Sequence, residues 1–73
     1  MDTKRTVAEK VDAAIRDHER TVAWVARKAG MRDGVLRTRV NAEIAFTVDE
    51  IGNVAEALGV PVSSLLPDEW TAA

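Results

Sequence analysis

The chain lacks cysteine and tyrosine and has a single histidine and a single phenylalanine. Without cysteine there is no disulfide framework and no thiolate metal site, a composition compatible with a reducing compartment. His18 has no second histidine or cysteine to complete a ligand set, so it reads as a polar residue at a helix end and no metal is expected. Long apolar runs are also missing. The longest, Val22–Ala26, is five residues, against about 20 for a membrane-spanning helix. The opening MDTKRTVAEK carries no apolar h-region, so no secretory signal is expected. There is no histidine–cysteine pair, paired-carboxylate cleft or glycine-rich phosphate loop, so the residues on which enzyme sites are built are missing. No cofactor or small-molecule ligand is implied. Together these absences point to one small soluble cytoplasmic domain of 73 residues.

A further absence is regional. No lysine or arginine occurs after position 41, although the chain holds ten. Residues 1–41 contain ten bases and six acids, and residues 42–73 contain six acids and no base. The net charge of −2 therefore hides a dipole. Between 20 and 41 lie Arg20, Arg27, Lys28, Arg32, Arg37 and Arg39 against one acid, Asp33. Such a cluster suits a face that meets a polyanion, although a solvated surface clustered by chance is the plain alternative.

What is present is helical pattern punctuated by glycine and proline. Thr6-Val-Ala-Glu9 has capping-box form and opens a segment with Val7, Val11, Ala14 and Ile15 at helical spacing. Thr21 caps a second segment, 22–29, which Gly30 stops. A third runs from about Asp33 to Val40. Thr47-Val-Asp-Glu50 is a second capping box, opening a helix with Ile51, Val54, Ala55 and Leu58 as its buried stripe and Gly59 as its end. Phe46 sits where a hydrophobic staple would pack toward Ile51. Pro61–Leu66 form a short fifth helix, stopped by Pro67, and residues 67–73 are a tail. Trp24 is expected to be half buried, and Trp70 either folds back onto the domain or meets a second subunit. The fold class expected is all-α, with five short helices.

The third helix carries the chemistry. At about 100° per residue, Asp33, Gly34, Arg37, Thr38 and Asn41 share one side, and Val35, Leu36 and Val40 share the other. Arg39 falls within the apolar side, where its stem packs and its guanidinium reaches an edge close to something anionic. A helix ended by Gly30, a turn of about three residues and a second helix with exposed polar groups make the helix-turn-helix plan.

The stretch TVAWVARKAGMRDGVLRTRVNAEIAFTVDEIGNVAEALGVPVSSLLP resembles the phage repressor and Cro-like (XRE) family of helix-turn-helix DNA-binding proteins, in versions common in actinobacteria and their phages. The resemblance covers about residues 5–67, with the motif at about 21–41 and the fourth and fifth helices at about 47–66. It rests on Val25, Ala26, Gly30, Leu36, Val40 and Asn41, on Phe46–Ile51, on Ala55–Val60 and on Ser63–Leu66 taken in order. It implies a lambda-repressor-like fold, double-stranded DNA as partner, a nucleoid-associated location and a role as a transcriptional regulator.

The resemblance also places the contacts. Base-reading positions fall on Asp33, Gly34 and Thr38, with Arg37 beside them. Arg37 suits bidentate contact with guanine, and the Thr38 methyl suits thymine. Asp33 either accepts from cytosine or caps its helix, the cap being favoured. Thr21 and Val22, at a helix N-terminus, suit a phosphate clamp, and Lys28, Arg32, Arg39 and Asn41 read as further backbone contacts. A homodimer would use Val60, Val62, Leu65, Leu66 and Trp70. Two departures stand out: Ala42 occupies a place where the family often has glycine, and the following loop offers Glu43 and Ile44 instead of bases. The alternative function is a protein-interaction module on the same helices, antitoxin-like or anti-repressor, which Ile44 and the acidic half would serve.

Overall fold

The computed structural model describes residues 2–71. They form helices α1 (Thr3–Asp17), α2 (Val22–Ala29), α3 (Asp33–Val40) and α4 (Val48–Leu58), a 3-10 turn (Val62–Leu65) and a short α5 (Asp68–Thr71). No strand occurs among the described residues, so the fold is all-α.

The apolar stripes converge on one core. Val7, Val11 and Ile15 of α1 meet Val25 and Ala26 of α2, Leu36 of α3, Ile51, Val54, Ala55 and Leu58 of α4, and Leu65 of the 3-10 turn. Each large side chain buried here stabilises the fold by about 1.5–3 kcal/mol. None of the core residues is polar. Helix α2 packs against α4 and α3, and α3 also rests on α1. The second and third helices therefore sit on a platform made by the first and fourth.

Caps fix where the helices begin. The Thr21 hydroxyl accepts from the Trp24 N–H at 3.0 Å. Thr47 and Glu50 form a reciprocal capping box. At the N-terminus the pattern is misleading. Helix α1 starts at Thr3 under an Asp2 cap, and the Thr6–Glu9 box expected to open it lies inside the helix. The Thr6 hydroxyl instead donates to the Asp2 carbonyl at 3.1 Å.

One device ends all four long helices. A left-handed residue lets the next N–H reach back five residues, the Schellman arrangement. The bonds are Arg20 to the Ile15 carbonyl, Met31 to Ala26, Glu43 to Thr38 and Val60 to Ala55, at 3.0, 2.8, 3.0 and 3.0 Å. Gly30 and Gly59 take the left-handed position at φ 73° and 71°. Glu19 and Ala42 take it at 54° and 62° despite carrying a Cβ, which costs each about 1–2 kcal/mol.

The C-terminal part departs from expectation. Residues 62–65 form a 3-10 turn rather than an α-helix, and the short α5 follows Pro67 in what reads as a tail. Lys10 of α1 holds Asp68 of α5 at 2.9 Å. Trp70 lines a groove with Val7, Phe46 and Ile51 but stays 59% exposed. Phe46 is half-buried beside Ile51, the staple position. Leu65, expected at a dimer surface, is fully buried. It is a core residue because the 3-10 turn faces it inward, and it offers nothing to a partner. Of the other four candidates, Val62 and Trp70 are exposed and Val60 and Leu66 are partly buried. No helix among the described residues is long and apolar enough to cross a membrane.

Candidate nucleic-acid interface

Between α2 and α3 lie three residues. Gly30 reverses the chain, Met31 packs against the core and Arg32 takes the extended conformation that precedes a helix. Met31 pins the middle of the turn, so the relation of α3 to α2 is fixed by a side chain as well as by backbone. Leu36, with no exposed surface, then holds α3 to the platform.

The opposite side of α3 is open. Asp33, Gly34, Arg37 and Asn41 are exposed and Thr38 is partly buried at the border. Asp33 is not the helix cap. Arg32 occupies that position, so Asp33 is already helical and its carboxylate runs along the helix to Arg37. Both oxygens lie 3.4 Å from Arg37 Nη2. The pair is long and exposed, which limits it to about 0.3–0.5 kcal/mol. Arg37 is therefore easily released to another acceptor. Helix α3 also lacks a side-chain cap, whereas α1, α2 and α4 have one. Its first N–H groups stay open to solvent or to an anion.

Two unpaired cations lie beside this surface: Arg27 lines a groove with Met31 and Asp33, and Arg32 immediately precedes α3, whereas Lys28 lines a groove with Asn53 and Glu56 of α4. Among the described residues, the bases outside every ion pair are Lys4, Arg20, Arg27, Lys28 and Arg32. Four of the five fall in α2 and its flanks. Trp24 arranges two of them: the Arg20 guanidinium lies 4.2 Å from its ring centre and the Lys28 ammonium 5.8 Å. These contacts steady both charges at about 0.5–1 kcal/mol each while leaving them at the surface. Thr21 is exposed. Its oxygen serves the cap, and its proton remains to be donated; Val22, partly buried, begins the helix beside it.

Arg39 lies elsewhere than its expected role requires. Its expected phosphate role fails because the anion at its edge belongs to the chain itself. Arg39 Nε and Nη2 donate to Glu50 Oε1 and Oε2 at 3.1 and 3.2 Å, with both side chains less than a fifth exposed. Glu50 Oε1 also accepts from the Thr47 N–H at 2.9 Å. Burial pushes the Glu50 carboxyl up, but the Thr47 bond and the bonds and charge of Arg39 outweigh it and hold its pKa below the ordinary 4.5. The capping-box pattern marks only one of the two tasks of Glu50. The signal for the second was the cation on an apolar helix side, which requires a partner. Likewise Arg20 and Lys28, four residues either side of Trp24, signal the stacked cations.

Elsewhere, His18 is exposed at the end of α1. No group of three or more histidine, cysteine or acidic residues that would hold a metal ion occurs among the described residues. Glu43 and Ile44, just beyond α3, are exposed.

The chain matches no family model, no curated protein and no solved structure.

Proposed function

We propose that this chain is a sequence-specific double-stranded DNA-binding regulator of the phage repressor or Cro-like helix-turn-helix type, reading the major groove with α3. The observation that carries the reading is the arrangement of α3. It is seated by Leu36, presents Asp33, Gly34, Arg37 and Asn41 outward, and is bordered by the unpaired cations Arg27 and Arg32. A major groove about 12 Å wide admits one helix. Short groups on that helix allow close approach, and flanking cations meet the phosphates on either side. Arg37 is the reader of guanine and Thr38 of thymine. Thr21, Val22, Lys28, Arg32 and Asn41 position the protein on the backbone.

If two copies bind successive major grooves, their third helices must lie about 34 Å apart, one turn of duplex. Val62 and Trp70 have the exposure a contact between the copies needs; Trp70 lies at the groove with Val7 and Phe46, whereas Val60 lies at a separate groove with His18 and Ser64.

A mobility-shift titration with genomic fragments tests the proposal. Binding is expected to weaken by about 0.9 log units per log unit of salt for each phosphate contact. Absence of any shift at low salt, or a shift indifferent to salt, would remove it. The protein-interaction reading is favoured by the exposed Ile44, Val48 and Trp70. It predicts a co-purifying protein and no shift.

A further inference from the structure

Thr38 stands at the border between the open side of α3 and the Arg39–Glu50 pair, and its hydroxyl is already occupied. Thr38 Oγ1 donates its only proton to the Val35 carbonyl at 2.8 Å. The same oxygen accepts from Arg39 Nη1 at 3.0 Å. Arg39 is fixed in turn by the two bonds to Glu50, which the capping box ties to the start of α4. A hydroxyl has one proton and two lone pairs. Here the proton and one lone pair are committed, and the γ-methyl is the part of the side chain outside this network.

We infer that Arg39 and Glu50 are positioning residues for base recognition: they hold the Thr38 hydroxyl within the protein, so that Thr38 reads the C5-methyl group of thymine through its own methyl. This rests on the DNA reading above and sharpens it. A threonine free to rotate can donate to guanine N7 or O6 or to thymine O4, and so tolerates several bases. A threonine whose proton is taken cannot donate to any of them. What remains is one lone pair, turned with the oxygen toward the Val35 carbonyl and Arg39, and the methyl, for which the thymine methyl is the matching group in the major groove. The device also explains why a cation sits on the buried side of α3. Arg39 reaches across to α4 on one side and grips the reading side chain on the other, so the platform sets the rotamer of the reader.

The test uses the full chain and its preferred site, selected from random duplex DNA. Each thymine of that site is replaced singly by deoxyuridine, which lacks only the methyl group. At one thymine per half-site the wild-type chain is expected to lose about fourfold in affinity, the effect of one buried methyl. Thr38→Val, which keeps a methyl and removes the hydroxyl, should bind the thymine site within about twofold of wild type and retain the uridine penalty. Thr38→Ser, which keeps the hydroxyl and removes the methyl, should lose about fourfold and become indifferent to the same uridine. The double variant Arg39→Met/Glu50→Gln removes the bond from Arg39, so that the Val35 carbonyl alone holds the Thr38 hydroxyl and the side chain can turn, while an amide oxygen remains to accept from Thr47. With folding verified by circular dichroism, its uridine penalty should fall below about twofold, and its selected sites should admit other bases at that position.

Three results overturn the inference: no uridine-sensitive thymine, Thr38→Ser behaving as wild type while Thr38→Val fails, or a double variant with the full uridine penalty. If random duplex DNA yields no preferred site, the DNA reading falls and the inference falls with it. The other failures leave that reading standing.

Discussion

Gly34 is the second residue of α3 and carries a cost that the fold does not require. Its φ is not positive, and a Cβ built there meets no atom within 4 Å. Glycine within a helix is about 0.5–1 kcal/mol less favourable than alanine. Gly34→Ala should therefore stabilise the chain by about that amount, which for a domain of this size raises the melting temperature by about 2–8 °C. If the open side of α3 lies against DNA, the same methyl enters a closely packed contact. Overpacking of that kind costs about 1–3 kcal/mol, which is about fivefold or more in affinity. The two effects have opposite signs. Gly52 supplies the control. It lies within α4, outside the proposed surface, and a Cβ there also meets nothing within 4 Å. Gly52→Ala should raise the melting temperature similarly and leave affinity unchanged. Thermal melts by circular dichroism and anisotropy titrations on one duplex measure both quantities. Gly34→Ala binding as tightly as wild type would refute the close approach of α3 to DNA. A lowered melting temperature would refute the open space around it.

Three further outcomes are expected. Ala42→Gly should stabilise by about 0.5–1 kcal/mol, since relief of the left-handed strain at φ 62° exceeds the added freedom of the unfolded chain; an unchanged or lowered denaturation midpoint would contradict the Schellman ending of α3. Arg37→Ala should lose about 1–3 kcal/mol of binding and relax preference at one base pair, with little loss of stability because its pair with Asp33 is exposed; identical preferences in wild type and variant would reject the assignment. Glu50 has a depressed pKa in the fold, so its stabilising contribution is complete above the ordinary value of 4.5 and fades as pH falls through the lower folded value. Melting temperatures from pH 7 to pH 3 should fall more steeply below 4.5 for wild type than for Glu50→Gln, and parallel curves would contradict the network around Arg39.

Much of this was legible in the residues. The boundaries of α2 and α4 follow from Thr21, Gly30, Thr47 and Gly59, because side-chain caps and cheap left-handed turns are local events. The stripe Ile51, Val54, Ala55 and Leu58 is buried as its spacing predicts. The open side of α3 follows equally from spacing. What was hidden depends on distance or on an atypical residue. Glu19 and Ala42 end helices without the glycine that usually announces such an end. Asp2 starts α1 one turn ahead of a capping pattern that does no capping. The Arg39–Glu50 pair joins residues eleven apart on two helices, and no periodicity within one helix reveals it. Leu65 turns inward because the segment winds as a 3-10 turn, whose facing differs from that of an α-helix.

Whether α3 reads duplex DNA is decided by selecting bound sites from a random duplex pool. An enriched motif is expected, with guanine at the position of Arg37 and thymine at that of Thr38, repeated about 10 base pairs apart if two copies bind. A pool that stays random after repeated rounds at low salt, or a motif unaltered by Arg37→Ala and Thr38→Ser, would contradict it.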